Sequence, residues 1–166
     1  MIGLSIRRSA SRVSAILCML TLGSCGEFTH HDYPRTPTEI TEHPEILYNK
    51  TIPRTEMVYM GVKLNDPGFS VRKERVNHES EGGWVVCRDG ARYRLEDKAV
   101  ATLGVWDTRT LERLNLTSPA DIEKKFGKPE RVDDTPELLI HRYANGSVSV
   151  LWNKQEGQVN AVNVSK

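Results

Sequence analysis

The chain has 166 residues, a formal charge of +1 and 38% apolar side chains, a size that suits one compact domain with extensions. Its charge is uneven: three of the 23 basic side chains (Arg7, Arg8 and Arg12) and none of the 22 acidic ones fall within the first 24 residues. The remainder is near neutral, about −2, which excludes the concentrated basic footprint by which proteins hold nucleic acid. The first element in chain order is a leader. The three arginines precede an apolar run of ten, Val13 to Leu22. That is a signal-peptide core, half the ~20 residues that a spanning helix needs.

Small residues follow the run, and Leu22-Gly23-Ser24-Cys25 resembles the lipobox of bacterial lipoproteins. That pattern has an aliphatic residue at −3, small residues at −2 and −1, and a cysteine. The resemblance implies that residues 1–24 are a signal peptide and that Cys25 is the lipidation site. In that family the cysteine sulfur takes a diacylglycerol, the preceding bond is cut, and the new amine is usually acylated. More than one acyl chain matters, because a single chain binds membranes only marginally. The product is expected in the cell envelope, lipid-anchored and facing the periplasm. Gly26, rather than Asp, at +2 favours the outer membrane over the inner under the enterobacterial sorting rule. With Cys18 lost with the leader and Cys25 lipidated, Cys87 is the only free thiol, and no internal disulfide can form.

Residues 25–54 read as the lipidated cysteine and a flexible tether. Pro34, Pro37, Pro44 and Pro53 break helices and strands, and few apolar residues offer burial. His30, His31 and Asp32 lack a further ligand at metal-binding spacing and read as solvated. Residues 55–166 read as a globular α+β domain of small antiparallel sheet with one or two short helices packed on one face. Asn65-Asp66-Pro67 signals a helix start before Gly68 to Val76. Trp84 to Cys87 and Ala91 to Leu95 flank Asp89-Gly90, which supplies the positive φ of a hairpin turn. Val100 to Trp106 reads as a third strand. Ser118-Pro119 then opens a helix through Phe126: Ser118 is the N-cap, and Asp121 and Glu123 favour the positive end of the dipole. Gly127 and Pro129 end it. A second hairpin, Leu138 to Tyr143 and Ser147 to Trp152 around Asn145-Gly146, precedes a last strand, Gln158 to Val164. The hairpins superpose at an offset of 56, so units 57–108 and 109–166 suggest a tandem helix–hairpin–strand repeat.

The second unit is similar to small outer-membrane lipoproteins of the SmpA/OmlA (BamE) type. The likeness rests on Phe126-Gly127-Lys128-Pro129, on Tyr143, and on Gly157, Val159 and Val162, and it covers 110–166. It implies a helix followed by antiparallel strands and a role in envelope assembly. Tandem units of this kind are also found in β-lactamase-inhibitor proteins, which bind a partner through the sheet face. The first unit departs from the pattern: Arg72 to Val76 has no Gly-x-Pro corner.

Catalytic spacings are absent from the sequence: there is no Cys-x-x-Cys, His-x-x-x-His, Gly-x-Ser-x-Gly or phosphate-cradling glycine loop. No enzyme activity, cofactor, metal or small-molecule substrate is expected. A hydrolase pairing Cys87 with His141 on neighbouring hairpins is the one catalytic alternative. Cys87 depends on register. With a two-residue turn it is exposed beside Arg92; with a three-residue loop that includes Arg88 it joins Val85, Tyr93 and Leu95 on the core side. We favour burial. Arg92, Arg94 and Arg142, with spare aromatics among Trp84, Trp106, Trp152, Tyr93 and Tyr143, would form a protein-binding face. The expected function is a membrane-anchored, non-enzymatic binding or scaffold module with a protein partner in the envelope. The alternative is a periplasmic inhibitor or immunity protein that binds a secreted enzyme.

Overall fold

The computed structural model describes residues 37–166 except 72 and 81. The leader, the lipobox with Cys25 and the His30-His31-Asp32 cluster lie outside the described residues. The fold is α+β and strand-dominated. A three-stranded sheet joins β1 (Thr38–Glu39), β2 (Met57–Tyr59) and β3 (Val62–Lys63). The main sheet has eight strands: β4 (Val76–Ser80), β5 (Trp84–Cys87), β6 (Arg92–Glu96), β7 (Ala99–Val105), β8 (Arg131–Asp134), β9 (Leu138–Tyr143), β10 (Val148–Asn153) and β11 (Gln158–Ser165). Its order is β4-β5-β6-β7-β11-β10-β9-β8. Two four-stranded meanders thus meet through their last strands, β7 and β11, which run antiparallel.

Turn chemistry sets the local register. In the β5–β6 hairpin Val86 pairs with Arg92, and Cys87 N–H donates to Ala91 C=O. The loop is therefore Arg88-Asp89-Gly90, with Gly90 at φ 88°, the left-handed position that closes a three-residue hairpin loop. Cys87 accordingly faces the core, 3% exposed. The β9–β10 turn uses positive φ at Ala144, Asn145 and Gly146.

Two α-helices connect the meanders. In α1 (Thr108–Leu114) the Asp107 carboxylate accepts from Thr110 N–H, and Asn115 closes the helix in the left-handed region at φ 50°. In α2 (Pro119–Phe126) Ser118 caps through Asp121 N–H, proline occupies the first turn, and Gly127 ends the helix. Leu111, Leu114, Ile122 and Phe126 enter a single buried cluster. That cluster also takes alternate residues of the sheet: Val85, Tyr93, Leu103, Val164, Val148 and Tyr143 form one row across it. A polar network ties the elements together. Tyr93 hydroxyl donates to Tyr59 C=O at 2.8 Å and accepts from Arg75, while Tyr59 hydroxyl donates to Asp107 at 2.7 Å.

Two expectations are corrected. Residues 38–54 are not a tether. Ile40, Ile46 and Leu47 are buried in the core cluster, β1 pairs in parallel with β2, and Pro44 opens a short 3₁₀ segment to Tyr48. The prolines break regular elements without preventing burial: the buried apolar side chains and the β1–β2 pairing both contribute against the ordering cost of the segment. The first unit also lacks its helix. Gly68–Ser70 and Lys73–Arg75 form only 3₁₀ turns. A glycine at the start and a charged run without a helical apolar stripe cannot hold a longer helix.

Candidate functional site

The second face of the main sheet is built by the other half of the alternation. One row across it reads Val86, Arg92, Gly104, Asn163, Ser149, Arg142 and Arg131. The next row holds Trp84, Arg94, Thr102 and Ser165. None of these residues belongs to the buried hydrophobic cluster. The middle of the face is small and polar. Thr102 and Ser149 are 5% and 8% exposed, and the Thr102 and Ser165 hydroxyls bond to each other at 3.0 Å. Taller side chains stand on either side, so the centre is a trough.

One wall is aromatic. The Arg92 guanidinium stacks over the Trp106 ring at 3.7 Å, a cation–π contact. A methyl group at Gly104 would stand 3.1 Å from both Trp106 Nε1 and Trp84 Cζ3, so the missing side chain is what lets both indoles close over the sheet. Burial lowers the Arg92 pKa, and this guanidinium has no carboxylate partner among the described residues. Trp106 Nε1 and Asn163 Oδ1 are buried without a hydrogen-bond partner among the described residues. Each such orphan costs about 1–3 kcal/mol.

All three expected arginines lie on this face, in two groups. Arg92 and Arg94 are two residues apart on β6, and Arg94 pairs with Glu96 at 3.1 Å. Arg142 lies four strand spacings away, roughly 19 Å. It shares Asp133 with Arg131, each at 2.5 Å, and the Arg142 hydrogen bond leads in holding the Asp133 carboxyl below its usual pKa. Arg92 is the guanidinium left uncompensated. Trp84 and Trp106 are the spare aromatics, whereas Trp152, Tyr93 and Tyr143 are in the core. Sequence reasoning missed Gly104, Thr102, Ser149 and Asn163. The available signal was the period-two alternation within Val100 to Trp106, where Thr102, Gly104 and Trp106 share one side.

The catalytic alternative fails on geometry. Cys87, Ala91, Val105, Val162, Val150 and His141 form one row, so Cys87 and His141 stand five strand spacings apart, roughly 24 Å. The two hairpins are not neighbours, because β7 and β11 pair between them. Both side chains are buried. Burial raises the Cys87 pKa and lowers that of His141, the opposite of an activated thiol. Among the described residues no group of three His, Cys, Asp or Glu side chains is placed to hold a metal, and no helix is long and apolar enough to cross a membrane.

No family model and no curated protein matches the chain. Among solved structures the chain is similar to a DUF4309 family protein (YjgB) from Bacillus subtilis subsp. subtilis str. 168, at 15% identity and a TM-score of 0.53. The likeness covers 76% of this chain and 97% of that one. At this identity it is a likeness of fold alone.

Proposed function

We propose that this chain is an exported lipoprotein, anchored through Cys25, whose sheet face binds a protein partner in the cell envelope without catalysing a reaction. The supporting observation is the trough flanked by Trp84, Trp106 and Arg92. It combines two partly exposed indoles, a cation lacking a carboxylate partner, and two buried polar atoms without partners. Tryptophan and arginine dominate binding hot spots, since each contributes large contact area at a desolvated centre. A partner carboxylate reaching Arg92 would supply the counter-charge that no carboxylate among the described residues gives it. We also read the two meanders as copies of one unit: the turn glycines of their hairpins, Gly90 and Gly146, keep the offset of 56 and share positive φ, and their last strands pair antiparallel. The signal-like run and lipobox support the address in the envelope, with the outer membrane preferred.

Cross-linking and pull-down from solubilised envelopes test this reading. Wild type should capture a distinct partner, and Arg92→Glu combined with Trp84→Ala should abolish capture with the fold intact. Equal capture by the double variant would remove the face from the proposal. Unchanged processing and membrane association of Cys25→Ala would remove the anchor. A captured enzyme whose activity falls on binding would favour the inhibitor reading over the scaffold one.

A further inference from the structure

The helix-covered side of the molecule has a feature that partner binding on the other face does not use. A cleft of about 450 Å³ opens between residues 47–57, the end of α2 and the β9–β10 turn. Its volume falls in the range of small-molecule sites, and its lining follows their usual plan of apolar floor and few polar groups. Tyr48, Phe126 and Tyr143 supply the floor, with Phe126 5.5 Å from each tyrosine ring, centroid to centroid. Lys50, Arg54 and Lys128 supply the rim. None of these three cations has an ion-pair partner among the described residues. Among the described residues the Arg54 guanidinium donates only to the Ser147 hydroxyl. The lone carboxylate of the lining, Glu130, already accepts from Asn145 N–H at 2.6 Å. Lys50 Nζ lies beside Gly127, 3.4 Å from where a Cβ would stand. Three cations converge on an aromatic floor and one engaged carboxylate does not neutralise them.

We propose that this cleft binds a small amphipathic carboxylate, with its apolar body on Tyr48, Phe126 and Tyr143 and its carboxylate held by Lys50, Arg54 and Lys128. The carboxylate can come from a free organic acid or from the C-terminal residue of a peptide. Lysine and arginine at an apolar mouth provide charge-assisted bonds to either.

The test uses the full chain, labelled with nitrogen-15, and follows its amide resonances at physiological salt. The probes share one body and differ in charge: 4-phenylbutyrate, 4-phenylbutanol and 4-phenylbutylamine. The carboxylate should bind with a dissociation constant on the order of 10⁻⁴ M, as its small size allows. It should shift amides within 47–54 and 126–130, and it should bind at least tenfold more tightly than the alcohol. Lys50→Glu with Lys128→Glu should remove binding while leaving the remaining spectrum dispersed. Acetyl-Ala-Ala-Phe with a free or an amidated C-terminus then separates the sources, since tighter binding of the free form than of phenylbutyrate assigns a peptide. Equal affinity for the alcohol or amine, shifts confined to other regions, or undiminished binding by the charge-reversed variant would overturn the proposal. These outcomes leave the Arg92 face untouched.

Discussion

Ile40 gives the sharpest measure of whether the segment before position 54 belongs to the fold. Its side chain is fully buried, and its N–H donates to Val58 C=O at 2.7 Å. Ile40→Ala removes three carbons. At about 0.8 kcal/mol per buried CH₂ the transfer loss is about 2.4 kcal/mol. The cavity left behind raises the expected cost to about 3 kcal/mol, within the 2–5 kcal/mol seen for such truncations. Unfolding entropy of ~2.1 cal/mol/K per residue, over about 130 folded residues, converts this to a Tm lowered by roughly 11 °C. Urea titration followed by tryptophan fluorescence measures the first quantity and calorimetry the second. Thr55→Ala, at an exposed position, is the matched control and should stay within about 0.5 kcal/mol. A loss below about 0.5 kcal/mol for Ile40→Ala would refute the reasoning and restore a tether through residue 54.

Three further outcomes follow from buried groups. Tyr93→Phe deletes the hydroxyl that serves Tyr59 C=O and Arg75 and should cost about 1–3 kcal/mol in urea unfolding, since both partners lose their bond. Cys87, buried and with its pKa raised by that burial, should react with a thiol reagent only after unfolding; rapid labelling of the folded chain would count against the three-residue loop. His141 is 2% exposed, its Nε2 has no partner among the described residues, and burial lowers its pKa below the ordinary histidine value. The unfolded chain therefore binds the proton more readily than the folded one. Stability should be complete above about pH 6.5 and fall as pH drops below it. His141→Gln should flatten this acid limb in urea midpoints measured between pH 7 and 5, and an unchanged slope would exclude His141 as its origin.

Turn and cap residues made much of the local structure legible. Asp89-Gly90 and Asn145-Gly146 marked both hairpins, and Ser118, Pro119 and Gly127 bounded α2 to the residue. α1 carried equivalent signals, with Asp107 as N-cap, Leu111 and Leu114 on one side and Asn115 as its stop. They were masked by the strand that runs directly into it. Arg92, Arg94 and Arg142 could be assigned to one face because alternation is a local property of strands. The trough between them could not, since Gly104, Asn163 and Ser149 become neighbours only when β7, β11 and β10 align.

Composition, lipobox resemblance, hairpins and α2 were thus determined by residues close together in the chain, where backbone preference and short hydrogen bonds decide. The pairing of β7 with β11, the burial of Ile40 and the separation of Cys87 from His141 were decided by tertiary structure. In each case the free energy comes from contacts between distant segments, and the sequence records no partner for a strand edge or an apolar side chain until the whole core closes around it.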